Sequence, residues 1–265
     1  MIRTHFGIEK LPFSSEEHTL LRQQQEIYDT LQVHAHHGGL SLILGVPGTG
    51  KTVLKEYLIQ QADRRRSLIA TVGRTLHTYS NTTRILCQAF GVDGQGTAFK
   101  CEKLLIEKAR ELHKKDMTLI TIIDDAHLLQ MEALRKLRLL FEEFPKNHNL
   151  VLIGQTELLD SLSLSVNEDI RSRVTYSVVL KRLTAEDVTE FIFQQLDLCG
   201  LGHNVFQEGA LELIVRSSDG VLRYARNLCL GSLLGAMRAR TRTVSTDLVN
   251  EVLLQPHWRK EQNAI

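Results

Sequence analysis

Gly45-Val46-Pro47-Gly48-Thr49-Gly50-Lys51-Thr52 matches the pattern G-x-x-x-x-G-K-[ST] at every fixed position. An apolar, strand-like run precedes it at residues 40–44, and a stretch that favours a helix follows at residues 53–58. Strand, glycine loop and helix in this order are typical of a phosphate-binding loop, because backbone N–H groups and the helix N-terminus surround a phosphate. In such a loop, Lys51 reaches the β- and γ-phosphates and Thr52 places its hydroxyl on Mg²⁺. The sequence therefore predicts a nucleoside triphosphate site at Gly45, Pro47, Gly48, Thr49, Gly50, Lys51 and Thr52.

The segments that follow residue 40 alternate between apolar runs and helix-like stretches. Strands are predicted at residues 40–44, 67–72, 118–124, 150–154 and 175–180, and helices between them at 53–64, 83–90, 103–114 and 131–144. Apolar strands separated by amphipathic helices are typical of a parallel sheet between two layers of helices. The predicted fold class is therefore α/β, with a five-stranded parallel sheet.

No strand is predicted beyond residue 180. Thr184-Ala185-Glu186-Asp187 resembles a capping box that begins a helix to about Cys199, and helical patterns follow at 209–218, 221–238 and 245–254. We therefore expect three segments: an N-terminal arm and helix (1–39), a P-loop core (40–182) and a small all-helical lid (183–265). A helix through Leu20, Leu21 and Ile27 is predicted to follow the cap-like residues 14–17.

Composition describes an ordinary globular chain. Its 265 residues are 43% hydrophobic and 24% charged, and the net charge of +1 means that nucleic-acid binding requires a local basic patch. The four cysteines are far apart and form no C-x-x-C pair, which favours reduced thiols. No apolar run has the length of a membrane span, and no signal-peptide pattern opens the chain. We expect a soluble cytoplasmic protein without membrane contact.

Two acids end the third predicted strand, in Ile122-Ile123-Asp124-Asp125. At the carboxyl end of a strand beside a P-loop, Asp124 is placed to orient Mg²⁺. Asp125, one residue further, is placed to polarise the attacking water.

Two features near the N-terminus leave alternatives open. The run HFGIEKLPF at residues 5–13 either walls an adenine pocket or anchors the N-terminal arm through apolar contacts. His34, His36 and His37 lack cysteine or carboxylate neighbours in the sequence, which favours a solvated helix end over a metal site.

Several motifs together resemble an AAA+ ATPase of the ExeA/TniB (TnsC-like) group. They are GVPGTGKT, IIDDAHLL, LVLIGQTEL, RSRVTYSVVLKRLTAEDV and GVLRYARNLC, and the resemblance extends over nearly the whole chain. It implies ATP hydrolysis with Mg²⁺ and ATP-dependent assembly of a homo-oligomer, either a ring or a helix. By the same resemblance, Gln155 occupies the sensor-1 position, Arg173 the arginine finger with Arg171 as runner-up, and Arg223 the sensor-2 position.

One residue departs from the group's pattern, because many AAA+ members have Glu where this chain has Asp125. Aspartate is one methylene shorter, so its carboxylate reaches the attacking water less well. We therefore expect slow hydrolysis that is stimulated by assembly.

The resemblance implies two functions, and a third is open. ExeA-like members serve secretin assembly and continue into a membrane span and a cell-wall-binding domain, whereas this sequence ends at Ile265 with neither. TniB/TnsC-like members assemble on duplex DNA and direct a transposase to its target. The expected function is therefore transposition-associated DNA binding, with the ExeA-like role as the alternative and a protein-binding AAA+ adaptor as a third possibility.

Basic residues give independent support for DNA binding. Between residues 221 and 260 the sequence contains seven Lys or Arg and only two acids. The basic residues are densest at Arg238, Arg240 and Arg242. Arg135, Lys136 and Arg138, after the second acidic motif, are further candidates to line a channel. Phosphate contacts of this kind predict binding that does not depend on base sequence.

Overall fold

The structure is a computed structural model that describes residues 2–13, 19–73 and 78–258. These residues form two compact units. The sheet unit comprises residues 22–46 and 51–180. The helical unit comprises the described residues among 1–21, 47–50 and 181–265.

Five strands form one sheet in the sheet unit. They are β1 (Gly39–Gly45), β2 (Ser67–Val72), β3 (Thr118–Ile123), β4 (Asn149–Gly154) and β5 (Val174–Leu180). All pair in parallel, in the order β2-β3-β4-β1-β5. The neighbours β4 and β1 are buried along almost their whole length, whereas edge strand β5 alternates between half-buried and exposed positions. The α/β class and the five-stranded parallel sheet predicted from the sequence are confirmed.

Helices connect the strands and build the helical unit. In chain order they are α1 (Ile2–Phe6), α2 (Arg22–Ala35), α3 (Lys51–Gln61), α4 (Tyr79–Ala89), α5 (Ala98–His113), α6 (Met131–Glu142), α7 (Glu157–Ser163), α8 (Glu168–Arg171), α9 (Ala185–Cys199), α10 (Glu208–Ser218), α11 (Leu222–Arg238) and α12 (Thr246–Leu253).

Two helices of the sheet unit begin four or five residues earlier than predicted, and caps explain both differences. The Thr78 hydroxyl accepts the Asn81 N–H at 3.4 Å and starts α4, and the Thr97 hydroxyl accepts the Lys100 N–H at 3.3 Å and starts α5. A threonine at the N-cap satisfies a backbone donor that has no partner inside the helix. The predicted helix starts rest on the spacing of apolar residues, which does not include these threonine caps.

The helical unit contains α1 and α9–α12 around its own apolar core. Its centre includes Ile192, Leu228 and Val249, all fully buried. The predicted capping box is present, because Thr184 and Asp187 exchange hydrogen bonds at 3.1 and 3.2 Å between side chain and backbone. In the described part of the chain beyond Leu180, no strand occurs; there is only an isolated bridge between residues 206 and 244.

The N-terminal residues divide between the units. Ile8 and Phe13 are buried in the core of the helical unit, which is the arrangement expected of an apolar anchor. Helix α2 belongs to the sheet unit and begins at Arg22, two residues later than the predicted pattern. The expected cap at residues 14–17 lies outside the described residues. The division into segments 1–39, 40–182 and 183–265 stays a prediction.

Candidate functional site

The glycine loop between β1 and α3 requires glycine at two positions. Gly48 and Gly50 have φ angles of +86° and +96°, which L side chains rarely adopt. A Cβ atom on Gly48 would also lie 2.8 Å from side-chain atoms of Val221 and Arg223. The Arg223 N–H donates to the Gly48 carbonyl at 3.3 Å, so the start of α11 lies against the tip of the loop.

Lys51 is the first residue of α3 and folds back on the loop. Its Nζ donates to the carbonyl oxygens of Gly45 and Val46 at 2.6 and 2.9 Å. Thr52 follows in the first turn of α3 and is exposed, whereas Thr49 is buried. The loop thus places a helix N-terminus, a lysine and a hydroxyl within one short stretch. These are groups that bind an anion such as phosphate.

The carboxyl ends of three neighbouring strands, β3, β4 and β1, lie at one edge of the sheet. Asp124 follows β3 directly, Gln155 follows β4, and the glycine loop follows β1. Because the three strands are parallel neighbours, the sequence-predicted residues Asp124 and Gln155 lie on the same edge as Gly45, at which β1 ends and the glycine loop begins. Ligands of open parallel sheets bind at such an edge.

Lys55 connects α3 to the end of β3, which the sequence analysis missed. Its Nζ lies 2.6 Å from Asp124 Oδ2, and both side chains are about four-fifths buried. The other oxygen of Asp124 accepts the Asp125 N–H at 2.9 Å. Lys55 lies one helical turn after Lys51, on the same side of α3, and this spacing is the signal that could have identified it.

Asp125 adopts a left-handed conformation with φ of +50° and ψ of +35°, and its residue surface is exposed. Aspartate tolerates this region better than most residues. The conformation ends the strand sharply and begins a short 3₁₀ turn at Ala126–Leu128.

His127 is a second residue that the sequence analysis missed. Its Nε2 lies 2.8 Å from Gln155 Nε2, and its backbone N would be 3.1 Å from a Cβ on Gly154. The Nδ1 atom of His127 is buried and has no hydrogen-bond partner within the described structure. The imidazole therefore holds the Gln155 amide at the end of β4, and Gly154 leaves room for this contact.

The predicted finger Arg173 belongs to a network of ion pairs. It is 61% exposed and contacts Glu142 at 3.1 Å, and Arg138 contacts the same carboxylate oxygen at 2.6 Å. Arg138 also lies 3.7 Å from Asp169, whose carboxylate accepts from Arg135 Nε at 3.1 Å. Arg171 pairs instead with Glu168, on the same short helix. The structure thus brings Arg173 together with Arg135 and Arg138.

The cations of α6 that were predicted to contact DNA are all paired within the sheet unit. Arg135 and Arg138 belong to the network above, with side-chain exposures of 35% and 15%. Lys136 pairs with Glu132 at 2.7 Å and lies above the Tyr79 ring at 6.0 Å. Much of the positive charge expected on this helix is therefore balanced locally.

A basic loop in the helical unit has a different environment. Arg238 ends α11, and Arg240 and Arg242 follow before α12, all three exposed. Within the described ranges, none of them forms an ion pair. The loop is held from one side by His5, whose Nε2 lies 2.7 Å from the Thr241 carbonyl oxygen.

Two further properties bear on ligands. No group of three or more metal-ligating His, Cys, Asp or Glu side chains occurs among the described residues. The hydroxyl of Thr52 and the carboxylate of Asp124 are hard oxygen donors, the type of ligand that Mg²⁺ prefers. No helix in the described ranges has the length and apolarity needed to cross a membrane.

Sequence comparisons place this chain among known proteins. Residues 33–162 match the protein family described as AAA domain. General secretion pathway protein A of Aeromonas hydrophila is 27% identical over 248 residues, which span 89% of this chain and 45% of that protein. Since this chain spans less than half of that relative, the position at which the present sequence ends does not distinguish the ExeA-like from the TniB/TnsC-like branch.

Solved structures with a similar fold include proteins bound to nucleotide or to DNA. The ORC2 protein of Aeropyrum pernix, in ADPNP–ADP complexes, has a TM-score of 0.73 at 17% identity. The match covers 96% of this chain and 71% of the ORC2 chain. Drosophila ORC bound to DNA has a TM-score of 0.69 at 18% identity, with 96% and 64% covered. A RuvB mutant of Thermotoga maritima has a TM-score of 0.59 at 18% identity, with 88% and 67% covered. The fold of this chain is that of the AAA+ P-loop NTPases.

Proposed function

We propose that this protein is an ATP-dependent, DNA-binding AAA+ regulator that assembles on duplex DNA and directs a partner transposase to its target. The observation that carries the ATP part is the sheet edge at which Lys51 contacts Gly45 and Lys55 joins α3 to Asp124 at the end of β3. The ADPNP–ADP complexes of the Aeropyrum pernix ORC2 protein support ATP as the nucleotide for this fold.

Binding begins with the phosphates at the N-terminus of α3. The Lys51 ammonium exchanges two carbonyl oxygens for phosphate oxygens, which carry full charge and accept stronger hydrogen bonds. Thr52 and Asp124 would hold Mg²⁺, which neutralises charge on the β- and γ-phosphates when bound. Lys55 fixes the Asp124 carboxylate from the side of α3.

Hydrolysis then depends on groups around the γ-phosphate. Asp125 polarises the attacking water, and Gln155, held by His127, donates its amide toward the γ-phosphate. Arg223 contributes from the start of α11, beside Gly48. Arg173 completes the site of a neighbouring subunit, so hydrolysis follows ATP-dependent assembly into a ring or helix.

The P-loop assignment is tested by Lys51→Ala. Isothermal titration calorimetry should show that ATP affinity falls by about a hundredfold or more, because the phosphates lose a charged donor at the helix N-terminus. Lys115→Ala, a lysine paired with Glu111 on the surface of the sheet unit, is the matched control and should leave ATP affinity unchanged. Equal affinity of the Lys51 variant and the parent would contradict the assignment.

DNA binding is supported by the basic loop and by the DNA-bound state of Drosophila ORC, which shares the fold. Three arginines that form no ion pair with any described residue bind DNA weakly on one subunit, and an ATP-linked assembly multiplies their effect along one duplex. Affinity should therefore require ATP, fall steeply with salt and be independent of base sequence. Gel-shift titrations with ATP, ADP or no nucleotide across a salt series measure this. Absence of binding in all three states at low salt would refute DNA binding.

The transposase is the finer part of the proposal and comes from the TniB/TnsC-like resemblance. An integrase-type transposase should co-sediment with the protein only when DNA and ATP are both present. Failure to co-sediment while ATP-dependent DNA binding persists would remove the transposase and leave the DNA-binding ATPase.

A second candidate is an ATPase that assists assembly of a secretion complex. It is favoured by the similarity to General secretion pathway protein A of Aeromonas hydrophila. This candidate predicts ATP turnover without DNA binding, so the gel-shift series above separates the two functions. The cytoplasmic location expected from the sequence remains a prediction under both.

A further inference from the structure

An open groove lies on the helical unit, and its lining includes none of the residues assigned to ATP or DNA. It has a volume of about 1410 Å³ and is lined by α9, α10 and one side of α12. Val188 forms part of its buried floor, and the half-buried side chains of Phe193, Leu211 and Val215 border it. The ring of Phe193 is fixed by stacking on His203 at 4.0 Å. The groove therefore offers an apolar strip with defined positions.

The charge around this strip is strongly acidic. Its lining contains two arginines, Arg182 and Arg216, and six carboxylates: Glu186, Glu190, Asp197, Glu208, Glu212 and Asp219. Arg182 is paired with Asp219, and Asp197 is paired with His203. Four glutamates then remain against Arg216, and none of these five forms an ion pair within the described chain. Uncompensated carboxylates beside an apolar strip repel a phosphate backbone and attract a basic partner.

The dimensions of the groove suit a helix. Helices α9 and α10 contain 15 and 11 residues, so they are about 22 and 16 Å long. A helix of three to four turns fits along them and can insert apolar residues at i, i+3, i+4 and i+7.

We propose that the groove between α9 and α10 docks a basic amphipathic helix of a partner protein. Leucine-type side chains of that helix pack on Val188, Phe193 and Leu211, and its lysines or arginines meet the glutamates on either side. This inference does not depend on ATP hydrolysis or on DNA binding, because none of the groove residues belongs to either proposed site.

A synthetic helix tests the groove directly. The probe is a fluorescein-labelled 18-residue peptide with leucines at helical spacing and lysines elsewhere, measured by fluorescence anisotropy with the full chain. A peptide of the same composition with alternating leucines, and one with glutamate in place of lysine, should both bind at least about tenfold more weakly. Hydrogen exchange should slow in α9 and α10 on binding.

Matched variants locate the binding site. Glu190→Gln with Glu212→Gln removes two exposed groove carboxylates and should weaken peptide binding about tenfold. Asp247→Asn with Glu251→Gln removes two exposed carboxylates of the same unit outside the groove and should leave binding unchanged. Equal losses of peptide affinity in the two double variants would overturn the proposal. So would binding of the alternating-leucine peptide as tight as that of the helical probe. A change in oligomeric mass of the groove variant by analytical ultracentrifugation would also overturn it, because a second copy would then occupy the groove.

Discussion

Two groups of arginines in this protein differ in their access to carboxylates. Arg135, Arg138 and Arg173 share two carboxylates, Asp169 and Glu142, in the sheet unit. The three arginines of the basic loop in the helical unit are exposed, and no described residue forms an ion pair with them. Charge density along the chain had made Arg135 and Arg138 of the first group, and all three arginines of the basic loop, candidates for DNA contact.

The difference shows that the positive charge an arginine offers to DNA depends on whether the folded chain pairs it with a carboxylate. A guanidinium that already faces a carboxylate adds little to the potential felt by a distant phosphate, whereas an unpaired one adds its full charge. We therefore propose the basic loop, rather than the paired group, as the DNA contact. Under the proposed action of Arg173 in trans, its ion pair with Glu142 would hold the guanidinium in place until the γ-phosphate of a neighbouring subunit competes for it.

The largest expected effect is on turnover. Arg173→Ala should lower the rate of ATP hydrolysis by roughly three orders of magnitude or more at unchanged ATP affinity, because a finger acts on the γ-phosphate of a neighbour. Steady-state ATPase assays and calorimetry measure the two quantities. Arg171→Ala, which breaks a local pair with Glu168 and a hydrogen bond to the Ser163 carbonyl oxygen, is the matched control.

Mixing experiments distinguish action in trans from a local effect of Arg173. A mixture of Arg173→Ala and Lys51→Ala chains should recover part of the turnover, since each supplies the group that the other lacks. Turnover that is independent of protein concentration, with no recovery on mixing, would be evidence against a finger.

The next largest effect concerns DNA. Replacing Arg238, Arg240 and Arg242 with glutamate should lower DNA affinity by about a hundredfold at moderate salt and flatten its salt dependence, because three phosphate contacts no longer release counterions. ATP affinity should not change. Lys136→Glu, which replaces a lysine of α6 that pairs with Glu132, is the control and should have a much smaller effect on DNA affinity. A larger loss from Lys136→Glu than from the triple variant would reverse the assignment.

Local sequence predicted the fold and part of the candidate site. The glycine loop, the predicted strands and Asp124 are encoded by residues close together, so pattern and spacing identify them. The contacts that organise the edge of the sheet join distant positions: Lys55 and Asp124 are 69 residues apart, and His127 and Gln155 are 28 apart. Pairing of Arg135 with Asp169 spans 34 residues. No local pattern contains such information, and the roles of the site residues remain predictions.

A third effect tests whether the paired group is also a structural element. Asp169→Ala should lower the free energy of unfolding by about 2–3 kcal/mol, because Arg135 and the mostly buried Arg138 lose a shared carboxylate. The glutamate variant of the basic loop should change it by less than about 0.5 kcal/mol. Urea unfolding of both variants measures the contrast. Similar stabilities would mean that the ion pairs of the sheet unit contribute little.

The smallest effect concerns a basic side chain that is buried and has no charged partner among the described residues. His148 lies under Phe141 and Phe144, with its Nε2 2.9 Å from the Thr121 hydroxyl, and burial lowers its pKa from 6.5 to about 3. Below pH 6.5 the unfolded chain therefore binds a proton that the folded chain excludes. Above pH 6.5 His148 is neutral in both states and leaves the free energy of unfolding unchanged. As the pH falls from 6.5 toward 3, the free energy of unfolding decreases progressively.

Acidification from about pH 7 to about pH 5 should thus remove roughly 2 kcal/mol of the free energy of unfolding through His148 alone. Other groups titrate in the same range, so the informative quantity is the difference between the parent and His148→Gln. Urea midpoints across this pH range should fall more steeply for the parent than for the glutamine variant, which cannot take up the proton. Parallel pH profiles would show that His148 accepts a proton inside the folded protein, and a basic side chain would then be charged in this core without a carboxylate partner.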